Sequence, residues 1–264
     1  MDKRITCNFS GRLGNLLYEI AHTLSVGWRN NAQIVFCTEH EKGYYNDQPS
    51  YRDYVRHIIQ DYPLIPNANG FDIIQENVRE KPKTYLITGD TQLRGYWTSS
   101  FYFREYRERI IQLFTRKDKA VVDDLVTYYR GKTTKPIVGV HIRRTDYVNE
   151  YGWGLGLDYY GRAYQRIRNE LGDCHYLIFS DDLAWCKEHL YFMQDKTLIS
   201  NKDYIEMQLM GRFDGLIIAN STFSAWGAIL GNPKIVIAPN VWRDTKGGHD
   251  PYNEYIYEEN WIRL

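Results

Sequence analysis

The chain lacks the features that would by themselves announce a partner. Its 33 Lys plus Arg are matched by 33 Asp plus Glu, so no global field of either sign draws it to nucleic acid or to an anionic membrane. Any phosphate recognition therefore falls to a local cluster of arginines and backbone amides. Long apolar runs are missing: stretches such as Leu216 to Ala219 and Ile235 to Ala238 fall far short of the ~20 residues a membrane-spanning helix needs. Only four cysteines are present, Cys7, Cys37, Cys174 and Cys186, with no C-x-x-C spacing, which gives them structural rather than metal-binding or redox roles. No Asp-x-Asp and no clustered His or Cys set occurs, so the sequence offers no metal site. Met1-Asp2-Lys3-Arg4 runs into the strand-like stretch Ile5 to Phe9 without an apolar signal core. The expectation is a cytoplasmic chain, neither exported nor anchored by its own sequence.

What is plentiful is aromatic. There are 23 tyrosines and 7 tryptophans, rings that suit sugar faces, cores and interfaces alike. The hydrophobic fraction of 43% and charged fraction of 25% over 264 residues are those of a globular protein with one large domain or two ordinary ones.

Periodicity gives the class. Arg4 to Phe9 reads as a strand, Gly11 to Gly14 as a turn and Asn15 to Trp28 as a helix. Ala32 to Cys37 and Thr84 to Thr88 read as strands, and 105–114 and 117–129 as helices. The stretch from 40 to 82 is polar, Tyr-rich and broken by four prolines, and carries no firm assignment. After the polar segment Gly131 to Pro136, a boundary candidate, short apolar strands (137–142, 175–180, 215–219, 234–238) alternate with helices (158–171, 182–190, 204–212, 224–230). That alternation predicts a parallel sheet covered on both faces. In such sheets ligands sit at the carboxyl ends of the strands.

Those ends are where charge and hydroxyls gather. Val138-Gly139-Val140-His141-Ile142-Arg143-Arg144-Thr145-Asp146 takes a hydrophobic strand into two guanidinium forks that match phosphate oxygens. Asp146 would neutralise an arginine if the cluster were only an ion-pair network, but two arginines and a histidine at one strand end are costly without a ligand. Gly215 to Ala219 runs into Asn220-Ser221-Thr222-Phe223-Ser224, which is either an anion-binding helix start or an ordinary N-cap at Ser221 or Ser224. Ser180-Asp181-Asp182 closes a third strand, with Asp182 serving equally as a helix cap. Gly11-Arg12-Leu13-Gly14-Asn15 is neither G-x-G-x-x-G nor a P-loop.

Taken together these segments resemble the α-1,2-fucosyltransferase family, and more distantly the α-1,6- and protein O-fucosyltransferases. The H-x-R-R-x-D box matches His141, Arg143, Arg144 and Asp146, and the G-x-L-G-N loop matches Gly11, Leu13, Gly14 and Asn15. Leu93 to Phe103 resembles the aromatic segment, and Ser180, Asp181, Asp182 and Trp185 the Ser-Asp-Asp-x-x-Trp motif. Asn220, Ser221, Phe223 and Ser224 match Asn-Ser-x-Phe-Ser. Leu16, Ala225 and Glu206 depart from the family pattern, where Gln, Trp and Asp are usual.

The resemblance implies an α/β fold of two Rossmann-like domains facing across a cleft (GT-B type), 1–133 mainly on the acceptor side and 134–264 binding the donor. It implies inverting, metal-independent transfer of L-fucose from GDP-β-L-fucose to a galactoside-containing glycan, at the 2-hydroxyl of a terminal β-galactose. Another linkage or acceptor, or a non-catalytic binding relic, are the alternatives. By resemblance Arg143 holds the β-phosphate and acts with Asp146 in catalysis. The donor-binding set is Gly14, Asn15, His141, Arg143, Arg144, Asp182, Glu206, Asn220, Ser221, Thr222, Phe223 and Ser224. The proton acceptor is open between Asp146, Glu150 and no side chain. Tyr96, Trp97, Phe101 and Tyr102 are either a stacking surface for a pyranose or packed core.

Overall fold

A computed structural model describes residues 3–38, 49–242 and 255–264; of the polar, Tyr-rich stretch 40–82, residues 40–48 lie outside them. Among the described residues no helix is long and apolar enough to cross a membrane. The chain forms two compact units, the first extending to Lys117 and regaining Tyr255 and Ile256, the second starting at Asp118.

In unit 1, β1 (Arg4–Cys7) leads through α1 (Leu13–Asn30) to β2 (Gln33–Ile34) and β3 (Phe36–Cys37), followed by α2 (Pro49–Ile59) and β4 (Leu64–Ile65). Next come β5 (Asp72–Gln75), β6 (Thr91–Arg94), a 3-10 turn over Ser100–Tyr106 and α3 (Arg107–Thr115). The sheet is parallel, ordered β2-β1-β6-β5. The single strand expected over 32–37 is broken in two, because β2 pairs with β1 whereas β3 pairs with β4.

No strand forms at 84–88. Asn30, at the end of α1, takes that backbone instead: its Nδ2 donates to Tyr85 O at 3.0 Å and its Oδ1 accepts from Ile87 N at 3.0 Å. Lys3 Nζ adds a bond to Ile87 O at 3.1 Å, so backbone polarity that a sheet would have satisfied is met by side chains.

Unit 2 opens with α4 (Lys119–Arg130), β7 (Ile137–Ile142) and a π-turn over Tyr147–Tyr151. Then follow α5 (Leu157–Leu171), β8 (His175–Ser180), α6 (Leu183–His189), β9 (Lys196–Leu198), α7 (Asp203–Met210), β10 (Gly215–Ile217), α8 (Thr222–Gly231), β11 (Ile235–Ala238) and β12 (Ile262–Arg263). Its six strands are parallel in the order β12-β11-β10-β7-β8-β9. Numbered from β7, that is the 3-2-1-4-5-6 order of a dinucleotide-binding sheet. β7 is buried along its whole length, as an interior strand of a two-faced sheet must be.

The boundary lies earlier than the polar segment 131–136. α4 belongs to unit 2 because Asp118 accepts from Tyr204 OH at 2.5 Å and Asp123 pairs with Arg212 at 2.9 Å. α7 packs against α8, β7 and β8 at unusually close range: a Cβ on Gly211 would lie 2.1 Å from Gly227 O. All four cysteines are free and buried.

Candidate active site

The chain runs from β7 to β8 and β9 in one direction, and β10 joins the sheet on the other side of β7. The strand order therefore reverses between β7 and β10, the point at whose carboxyl ends sheets of this kind bind ligands. Val140 lies opposite Ile217 in register, so the two strands release Arg143-Arg144 and Asn220-Ser221 side by side. Sequence segments far apart along the chain are thus brought to one strand-end pair by topology alone.

Arg143 is held on two sides. Its Nη2 donates to Asp146 Oδ1 at 2.6 Å, and its Nη1 lies 3.0 Å from Asp181 Oδ2, with the guanidinium only 18% exposed. A guanidinium carries five N–H groups, and these two contacts fix its aim while using only part of them. Arg144 is committed differently. Its Nε contacts Asp182 Oδ2 at 3.4 Å, its guanidinium stacks 3.7 Å above the Trp185 ring, and its backbone N–H donates to Asp181 Oδ1 at 2.9 Å. Asp182 also caps α6 by accepting from Trp185 N at 3.0 Å. Two arginines thus face three aspartates. The ion-pair network foreseen as an alternative exists, and it serves to orient Arg143. Asp181, absent from the expected site residues, is its hub; the sequence marked it only as a strand-end residue and a member of the Ser-Asp-Asp-x-x-Trp match, with no sign of its partners.

Opposite, Ser221 is the N-cap of α8 and makes no side-chain capping hydrogen bond. Ser224 Oγ instead donates to Ala219 O and Ser221 O at 3.2 and 3.1 Å, so the two serines do not cap the helix as an ordinary box would. A helix start presents backbone N–H groups and a partial positive charge. Phe223, next to Thr222 in the first turn, sets its ring 5.4 Å from His141. Among the described residues His141 Nδ1 is buried without a hydrogen-bond partner. Burial pushes the imidazole down to about 4, against a smaller upward pull from Asp181, so His141 is neutral near pH 7. Asn220 Nδ2 donates to Trp153 O at 2.9 Å, and its Oδ1 is buried and finds no partner among the described residues. Trp153 stacks on Tyr151 at 4.7 Å, and Tyr147 lies under Arg143 at 5.5 Å. The π-turn carries Tyr147 and Tyr151, and Trp153 follows it.

Glu206 stands in the first turn of α7, the helix that packs on β7 and β8. Its Oε1 accepts from Asn201 N at 2.7 Å. Burial lifts its pKa to about 7, with Asn201 pulling down and Asp203 adding an upward push. Gly14 and Asn15 belong to unit 1, in the first turn of α1 after β1. Glu150 is exposed on the π-turn. Among the described residues no three His, Cys, Asp or Glu side chains converge as a metal-binding group.

Residues 72–264 match the model of glycosyl transferase family 11. The chain belongs to that family. The match spans every unit 2 site residue, whereas Gly14 and Asn15 lie ahead of it. Among relatives of this family 11 chain, an Escherichia coli alpha-1,2-colitosyltransferase is 31% identical over 196 residues, covering 67% of the chain and 64% of that relative's own length. Galactoside 2-alpha-L-fucosyltransferase Sec1 of Mus musculus is 25% identical over 98% of the chain and 73% of its own length. Among solved structures, the fucosyltransferase NodZ from Bradyrhizobium superposes with a TM-score of 0.54 at 14% identity, over 89% of this chain and 97% of NodZ; that likeness is one of fold.

Within the family 11 aromatic segment, two of the four candidate stacking residues are core. Trp97 is fully buried against His22 (4.3 Å) and Tyr102 (5.3 Å), and Tyr102 is itself buried. Tyr96 and Phe101 are half-buried.

Proposed function

We propose that the chain transfers L-fucose from GDP-β-L-fucose to a galactoside-containing glycan, at the 2-hydroxyl of a terminal β-galactose, with inversion and without a metal. The observation that carries this reading is Arg143, preset by Asp146 and Asp181 at the reversal point of the sheet and beside the start of α8. The names of the family relatives support the donor and linkage.

In this reading the diphosphate lies between Arg143 and the first turn of α8, where Ser221, Thr222 and Ser224 stand. As the acceptor oxygen bonds to the anomeric carbon, the bond from that carbon to the β-phosphate oxygen breaks, and GDP leaves with the electron pair. Charge grows on the β-phosphate, and a fork already aimed there stabilises the transition state more than the ground state. Asp146 acts as a positioning residue for Arg143. With Asp146 so engaged and Glu150 exposed, the acceptor proton passes to a donor phosphate oxygen. Neutral His141 and Phe223 flank the nucleotide, and Glu206 accepts from the guanine N–H edge. Arg144, Asp182 and Asn220 shape the wall. Free, buried thiols agree with work in the cytoplasm.

Colitose in place of fucose is the second reading, favoured by the colitosyltransferase relative. Incubation with GDP-fucose or GDP-colitose and lactose, followed by linkage analysis, separates the two. Fucose on any hydroxyl other than the galactose 2-position refutes the linkage. Failure to bind GDP makes the chain a non-catalytic relic.

A further inference from the structure

Unit 1 holds a cavity for which the donor reading has no use. β5 and β6 are parallel neighbours, Gln75 opposite Arg94, so both deliver their following residues to one sheet edge. An open cavity of about 560 Å³ lies there, lined by residues 75–79 with Gly95 and Tyr96. That volume is in the range of small-molecule sites, roughly 300–1,000 Å³.

Its one carboxylate is held with care. Glu76 Oε2 accepts from the backbone N–H of Tyr96 at 2.8 Å and of Trp97 at 3.0 Å. Its Oε1 accepts no hydrogen bond among the described residues. Burial raises the carboxyl's pKa, and the two amides oppose that rise. The turn supplying those amides is strained, with Gly95 at φ 143° and Trp97 at φ 53°, a conformation that a bulky residue rarely adopts. A Cβ on Gly95 would lie 2.3 Å from Glu76 Cβ, so only glycine lets the carboxylate sit where it does. Trp97, locked in the core by His22 and Tyr102, keeps the turn in place. The result is a rigid shelf bearing an acceptor oxygen, the half-buried Tyr96 ring and, at the rim, exposed Arg79.

The chemistry selects a ligand class. A carboxylate repels a phosphate-bearing molecule, and a rim of Glu, Asn and Arg gives an apolar one little. A neutral polyol supplies hydroxyls to the carboxylate and the guanidinium, and an apolar ring face to the tyrosine. We propose that this cavity receives the acceptor saccharide, Glu76 Oε1 accepting from a sugar hydroxyl and Tyr96 lying against a pyranose face. The choice of a galactoside as occupant rests on the functional reading above.

The test is ligand-observed saturation-transfer NMR on the full chain with lactose, alongside GDP titration by calorimetry. Glu76→Gln keeps an oxygen for the two backbone amides, and Arg79→Ala alters only an exposed rim, so neither endangers folding. Lactose affinity should fall roughly tenfold or more in Glu76→Gln, as for loss of a hydrogen bond to a charged group, and should also fall in Tyr96→Ala and Arg79→Ala. GDP affinity should hold in all three. Lactose affinity equal to wild type in the variants overturns the proposal, as does wild-type protein that does not bind lactose. Loss of GDP and lactose together in Glu76→Gln would mark a structural carboxylate and also overturn it. Wild type that binds lactose but not GDP sinks the donor reading and leaves this one standing.

Discussion

Glu206 makes the donor site pH-sensitive in a direction that can be worked out. Its pKa is about 7 in the donor-free protein. About one tenth of the molecules therefore carry the carboxylate at pH 6 and about nine tenths at pH 8. If the ionised form is what accepts from the guanine edge, GDP affinity through this contact rises roughly tenfold across that interval, ~1.4 kcal/mol. Apo stability moves the other way. A carboxyl raised above its unfolded value contributes stability that is present below the unfolded pKa and lost as pH climbs through the folded one, so unit 2 should weaken at this residue between about pH 4.5 and pH 7. Opposite slopes for binding and apo stability are the signature. The β-phosphate of GDP also loses a proton near pH 6, so the quantity to read is the ratio of wild-type to Glu206→Gln affinity, by calorimetry from pH 6 to 8.5. Glu206→Gln should flatten the profile to the phosphate component alone and raise the apo melting temperature at pH 8. A ratio that stays constant with pH would refute the reasoning.

Arg143→Ala should lower turnover by about two orders of magnitude or more, and Arg143→Lys should also be poor because a point charge loses the fork; a folded Arg143→Ala protein with near-normal turnover counts against the site. Transfer should persist in EDTA, and complete loss restored by Mn²⁺ or Mg²⁺ would reject the metal-free mechanism. Gly211→Ala places a methyl against Gly227 O and should cost about 1–3 kcal/mol, seen as a lower melting temperature; an unchanged one would mean that α7 and α8 can part without loss.

Unit 2 was legible in the sequence because its strands are short apolar runs bounded by helices of the right period. Ile137–Ile142 and His175–Ser180 fall where the pattern put them. The strands that were missed are polar or very short: Asp72–Gln75 and Thr91–Arg94 have few apolar residues, and Lys196–Leu198 sits at a sheet edge. The false strand at 84–88 shows the limit of local pattern, since a distant side chain, Asn30, supplied the hydrogen bonds. At the site, the arginines were legible by charge at a strand end. Asp181 as their shared partner was not, because only the pairing of β7 with β8 brings it to them.

The three aspartates around Arg143 and Arg144 also decide what the donor-free protein ignores. With neutral His141 beside them, these side chains together carry no surplus positive charge for a passing anion. Inorganic phosphate meets guanidinium groups whose counter-charges are already in place, which leaves it the partial positive charge at the start of α8. A nucleotide sugar brings a base, a ribose and a hexose as well, and their contacts make displacement of water from the fork worthwhile. An idle site of this kind should hold small anions only weakly, so that its substrate meets little competition on arrival.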